Sequence, residues 1–177
     1  ANGTITFTDA GNLNLDSTVT SLGTLSDNFG TVTYDGIDQT VFSDVYYSLT
    51  AGGVSGIKTL GGSVTVAGNL TVDANVTTAM GENDLSVTGA TDNNGTITIS
   101  TATLDANGTF DATGGTITFT GAGNLTLFST VADLGTLSTT NGTVTYDGVD
   151  QTVFSDFYYS LTAGGGSGTK TLGGDVT

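Results

Sequence analysis

The sequence predicts an all-β protein, and within that class a β-solenoid (parallel β-helix) built from tandem repeats with a 112-residue period. Three observations lead there: a strand-forming composition, a near-verbatim internal duplication, and shorter strand-turn echoes inside each copy. The 177 residues contain no Pro, Cys, Trp or His, one Met and 28 Gly, and Thr makes up about a fifth of the chain. Hydrophobic residues are 36%, enough for a thin core of Val, Ile, Leu and Phe, which together with Thr and Tyr favour strands. Charged residues are 11%, against ~25% in an ordinary domain. Helix-building runs of Ala, Leu, Glu and Lys are missing.

The duplication is plain to the eye. GTVTYDGIDQTVFSDVYYSLTAGG, from Gly30 to Gly53, returns from Gly142 to Gly165 with two changes, Ile37 to Val149 and Val45 to Phe157. The match extends without gaps from Asn2–Thr65 to Gly114–Thr177, and 50 of these 64 positions are identical. Residues 1–113 therefore read as a first repeat and 114–177 as part of a second, one continuous coil without a linker. Neither end carries an atypical covering unit of the kind that closes repeat arrays, so the expectation is an excerpt of a longer array or a subunit covered by neighbours.

The echoes set the strands. GTITFTDAGNLNL starts at Gly3, GSVTVAGNLTV at Gly62, GTITIS at Gly95 and GTITFTGAGNLTL at Gly115. Each alternates Thr with an aliphatic or aromatic residue, the period-2 signature of a half-buried strand. Alternation points Ile5 and Phe7 inward and Thr4, Thr6 and Thr8 outward. By the same rule Ile97, Ile99, Leu125, Leu127, Val144 and Tyr146 face in. Asn14 and Asp16, flanking Leu15, should face out; they become Thr126 and Phe128 in the second copy while the leucines stay. Thr20 and Ser21 also change, to Ala132 and Asp133. Asn-Gly pairs at Asn2, Asn94, Asn107 and Asn141 are expected to supply positive φ at corners. A coil of roughly 20 residues per turn places about five turns in one period. Paired immunoglobulin-like sandwiches are the competing fold; the internal echoes and the lack of Pro and Trp argue against them.

Composition also excludes functions. The net charge is −15, with Lys58 and Lys170 the only cations. Nucleic acid and anionic membrane surfaces need basic clusters and are excluded as partners. No apolar run is long enough to insert in a membrane. Without His or Cys there is neither a Ser/His triad nor a thiolate nucleophile, and an active site copied every 112 residues is implausible, so the chain reads as non-catalytic.

The remaining candidates are binding sites. Asp35, Asp38 and Asp44, recurring as Asp147, Asp150 and Asp156, have the oxygen chemistry of a calcium corner, although Asp and Gly also simply make turns. No other cofactor is indicated. Lys58 and Lys170 are expected to pair with an Asp on an adjacent turn. Counting back from Leu49 and Leu161 turns Tyr47 and Tyr159 inward, leaving Tyr46 and Tyr158 outward as contact residues for a sugar or a neighbouring fibre. Phe128 is a third surface-contact candidate. Outward Thr-x-Thr pairs raise ice binding as an alternative.

Tyr46-Tyr47-Ser48-Leu49-Thr50, then Lys58-Thr59-Leu60-Gly61-Gly62 and Gly68-Asn69-Leu70-Thr71, together resemble the repeat of giant secreted β-strand-repeat surface proteins of bacteria, similar in style to filamentous-haemagglutinin-like adhesins. The resemblance covers nearly the whole chain. It implies an extracellular, secreted or surface-attached stalk or fibre without catalytic residues, whose partners are neighbouring repeats end to end, with surface glycans as a second candidate. Alternatives from other classes are a small subunit stacking head to tail into a filament, and a carbohydrate- or ice-binding module.

Overall fold

The computed structural model describes residues 3–26 and 28–177 and is a parallel β-solenoid of about nine turns of about 19 residues, without a helix. Three sheets form its walls. The first face stacks seven strands: Asn12–Leu15, Thr31–Tyr34, Ser48–Ala51, Leu70–Val72, Thr91–Asn93, Phe110–Asp111 and Val131–Asp133. The second stacks six, from Gln39–Val41 through Gly56–Leu60, Val76–Gly81, Thr96–Ile99 and Thr116–Phe119 to Thr136–Leu137. The third stacks seven, beginning at Val45–Tyr46, passing Leu85–Val87 and Asn124–Leu127, and ending at Thr143–Tyr146 and Leu161–Ala163. Two further pairs, Thr4–Ile5 with Thr24–Leu25 and Gln151–Val153 with Lys170–Leu172, lie towards the two ends. Each strand pairs in parallel with the strand one turn away, so the wall hydrogen bonds run along the coil axis.

The core is a set of columns. On the third face Leu85, Leu104, Leu125 and Val144 stack in register, and on the second Ile97, Ile117 and Leu137. All are buried, as alternation requires, and so are Ile99, Leu127 and Tyr146. Ile5 and Phe7, on the first turn, are half-buried. Asn14, Asp16, Thr20 and Ser21 are exposed, which places those sequence changes at solvent. Burial depends on a turn above: Leu60, inside the stack, is 3% exposed, whereas Leu172, its counterpart on the last turn, is 61% exposed. Full burial of a Leu contributes about 1.5–3 kcal/mol, so each added turn stabilises the one beneath it.

The walls run straight through the boundary between the sequence copies. Phe110–Asp111 pairs with Thr91–Asn93 on one side and Val131–Asp133 on the other. The third face is one ladder from Val45–Tyr46 to Leu161–Ala163. Yet the duplication is not a period of the coil. Thr31–Tyr34 lies on the first face, while its copy Thr143–Tyr146 lies on the third. Five turns along the first face lead from Thr31–Tyr34 to Val131–Asp133, and two further faces reach Thr143–Tyr146. The copy is thus displaced by five and two-thirds turns rather than about five. Asn12–Leu15 on the first face and Asn124–Leu127 on the third show the same displacement. Because all three faces are built alike, with aliphatics in and Thr out, one sequence can be laid on any of them.

The corners use glycine differently from the expectation. Asn141 does adopt positive φ, at 68°, but the other such Asn is Asn75, which no Gly follows. Asn94 and Asn107 do not adopt it, and Asn2 lies outside the described residues. Gly95 and Gly108 are required for another reason: a Cβ there would run into the carbonyl oxygens of Val76 and Gly89, so adjoining turns approach backbone to backbone. Gly56 combines both demands, with φ of 111° and the Ile37 carbonyl where a Cβ would sit. Gly56→Ala is expected to cost about 1–3 kcal/mol, read as a lowered thermal midpoint by circular dichroism.

Candidate functional site

The tyrosine motif is built at the corner between the third and first faces. Strand Val45–Tyr46 ends there and Ser48–Ala51 begins on the next face. Across that corner the alternation is reset, so the inward residues are Tyr46 and Leu49, three apart. Tyr46 is therefore 0% exposed and Tyr47 40%, the reverse of the reading by alternation. In the second copy Tyr158 is half-buried and Tyr159 is 64% exposed.

Inside, Tyr46 closes a ring of hydrogen bonds with Tyr34. The Phe42 N–H donates to the Tyr34 hydroxyl at 3.1 Å, and the Tyr46 hydroxyl donates to the Phe42 carbonyl at 2.9 Å. The two hydroxyls are 2.9 Å apart, which leaves Tyr34 to donate to Tyr46. The rings meet edge to face, centroids 6.4 Å apart. Tyr146, Tyr158 and Phe154 repeat the arrangement, with distances of 3.1, 3.1 and 2.6 Å. A bend that cannot join a ladder thereby satisfies its backbone N–H and C=O from side chains. Burial pushes all four hydroxyls above the usual tyrosine pKa. Tyr46→Phe leaves the Phe42 carbonyl unpaired and is expected to cost about 1–3 kcal/mol, checked by urea unfolding.

The lysine motif is also internal. Lys58 has the parity of Leu60 in Gly56–Leu60, so its stem points into the coil, and it is 0% exposed. Its Nζ donates to the carbonyls of Gly36 and, at 3.1 Å, Ile37 on the turn below, rather than to an Asp as the sequence led us to expect. Burial holds its pKa below the ordinary lysine value, partly offset by Asp35, Asp38 and Asp73 nearby. Lys170 caps the Gly148 carbonyl in the same way. The corner beneath is tied by a residue the sequence reading did not single out. Gln39 Nε2 donates to the carbonyls of Leu15 and Ser17 at 2.6 and 2.9 Å, while its Oε1 accepts the Gly36 N–H at 2.7 Å. Gln151 does the same with Leu127, Ser129 and Gly148. A signal was available: Gln39 shares the parity of Val41, as Lys58 shares that of Leu60.

The carboxylates proposed for calcium are not brought together. Asp38 and Asp150 each accept a backbone N–H from the next turn, from Ile57 and Thr169 at 2.9 Å. Asp44 and Asp156 each accept the N–H of the residue that follows, Val45 and Phe157. Asp35 lies near Lys58, and Asp147 approaches Gly164 of the next turn. Among the described residues no three acidic side chains form a group able to hold a cation. Hard cations need several converging oxygens, whereas Asp38, Asp44, Asp150 and Asp156 each accept a backbone N–H instead.

What remains at the surface is modest. Phe128 is 49% exposed, as its sequence position implies. Phe29 and Tyr47 meet on the outside with ring centroids 6.1 Å apart. Two equivalent grooves lie in the walls, one beside Asp38 and one beside Asp150. Protein-family models, curated proteins and solved structures provide no match to this chain.

Proposed function

We propose that the chain is a length of shaft from an extracellular fibre or stalk, of the kind the motif resemblance associates with repetitive bacterial surface adhesins, and that its work is mechanical rather than catalytic. The observation that carries this reading is the third face, one ladder of seven strands running unbroken across the boundary between the two sequence copies. A second copy adds length without a second domain or a joint. At about 4.8 Å per turn, 112 residues add roughly 27 Å of reach. The duplicated tyrosine and lysine motifs serve corners of the coil, so repeating them extends the scaffold. Acidic charge and outward Thr keep such a rod soluble and oppose lateral sheet pairing.

The test is the denatured mass of the native protein after boiling in detergent. A mass of hundreds of kilodaltons supports a single-chain stalk. A mass near the 17.6 kDa of these residues overturns it in favour of a subunit that stacks head to tail. A second reading draws on the second face, where Thr96 and Thr98 stand in register with Thr116 and Thr118 as a Thr-x-Thr array. That array favours ordered water or ice as a ligand, and thermal hysteresis measured on the purified chain decides it.

A further inference from the structure

The wall lapses at the same place in both copies. Gln39–Val41 begins the ladder of the second face, and the segment one turn before it, Thr18–Thr20, forms no strand. In the second copy Val131–Asp133 ends the ladder of the first face, and Gln151–Val153, the next strand on that side, pairs only with Lys170–Leu172. These copies occupy different faces and different heights of the coil, so the lapse is a property of the repeated sequence and not of one end.

A groove fills each lapse, of about 350 Å³ in the first copy and 390 Å³ in the second. Thr18, Val19, Asp38, Gln39 and Thr40 line the first, and Thr130, Val131, Asp150, Gln151 and Thr152 line the second. At one end the buried glutamine bridges to the turn below. Beyond it, the edge of the three-residue strand has no neighbouring strand on that side. Unpaired strand edges are satisfied by another extended chain, whose main-chain groups provide the bonds. At the rim stands one carboxylate, Asp38 or Asp150, with one oxygen engaged by a backbone N–H. The chain carries −15 overall, and both of its cations bond corner carbonyls. An occupant is therefore extended and basic.

We propose that the two grooves are docking sites for an extended, basic polypeptide segment that adds as a strand to the edges of Gln39–Val41 and Gln151–Val153, with a Lys or Arg reaching Asp38 or Asp150. The sites are five and two-thirds turns apart and a third of a turn around the rod, so one straight partner cannot lie along both. The proposal does not depend on the stalk reading.

The test is an amide NMR titration of the whole chain with a hexapeptide of alternating Thr and Val carrying Lys at each end. The expected result is two equivalent sites, with shifts centred on Thr40, Val41, Val131, Thr152 and Val153. Asp38→Asn with Asp150→Asn keeps the backbone acceptors and removes the charges, so it should weaken binding about two- to fivefold without altering the fold. Absence of shifts at millimolar peptide, or shifts scattered over the walls, overturns the proposal. Equal binding of the same peptide with Glu at each end overturns its electrostatic part. A neutral disaccharide that shifts these amides when the peptide does not would replace the peptide with a sugar.

Discussion

Leu49→Asp is expected to unfold the turn that holds it, while Asp16→Thr leaves the protein unchanged. Leu49 is buried in a column of the first face, between Val32 below and Leu70 above. Removing a buried Leu costs about 2–5 kcal/mol through lost burial and the space left behind. An unpaired carboxylate in its place adds several kcal/mol more. Stability in a coil is a sum of turn-to-turn contacts, so the damage should be local before it is global. Hydrogen exchange should accelerate first over residues 31–72 and later over 96–146. Asp16 is exposed, so its change should fall within about 0.5 kcal/mol. If both variants melt like the parent, the inward and outward assignment of the first face is wrong.

The second large effect is alkaline unfolding. Tyr34, Tyr46, Tyr146 and Tyr158 hold raised hydroxyl pKa values in the folded chain, chiefly through burial. An unfolded tyrosine loses its proton near pH 10, and the folded ones do not. Below that pH both states hold the proton, and the contribution is fully present. Above it the folded state binds more protons than the unfolded one, so stability falls as pH rises. Each such hydroxyl takes about 1.4 kcal/mol per pH unit while the unfolded form alone is ionised. Lys58 acts with the opposite sign. Its lowered pKa means that the unfolded state binds more protons in the window below about 10.4, so its contribution rises with pH there. The expected profile is a shallow rise towards pH 10 and a steep loss beyond it. Circular dichroism and tyrosinate absorbance, followed together from pH 8 to 12, should change in one cooperative step. Full tyrosinate absorbance in a chain still folded would show that the hydroxyl rings are open to solvent.

Much of the fold was legible in the residues alone. Alternation in Thr96–Ile99 and Asn124–Leu127 named the inward side chains, because a straight strand has a strict period of two. Gly, Asn and Asp marked the corners, and the echoes pointed to a coil. The candidate site was read less well. Tyr46 and Tyr47 were exchanged because a corner resets the alternation, and no composition rule gives the number of residues a corner absorbs. The Asp residues could be named from the sequence, but whether they converge depends on how successive turns stack.

The sequence by itself determined that this chain is all-β, repetitive, acidic and without His or Cys, since those properties follow from residue types and local periodicity. Only the tertiary structure decided that Tyr46 and Lys58 look inward while Tyr47 looks out, that Gln39 bridges a gap in the wall, and that the second copy is turned by a third of a revolution. Those outcomes depend on the length of each turn. Turn length fixes which residues become neighbours one level up, and small differences summed over six levels move a whole repeat onto another face.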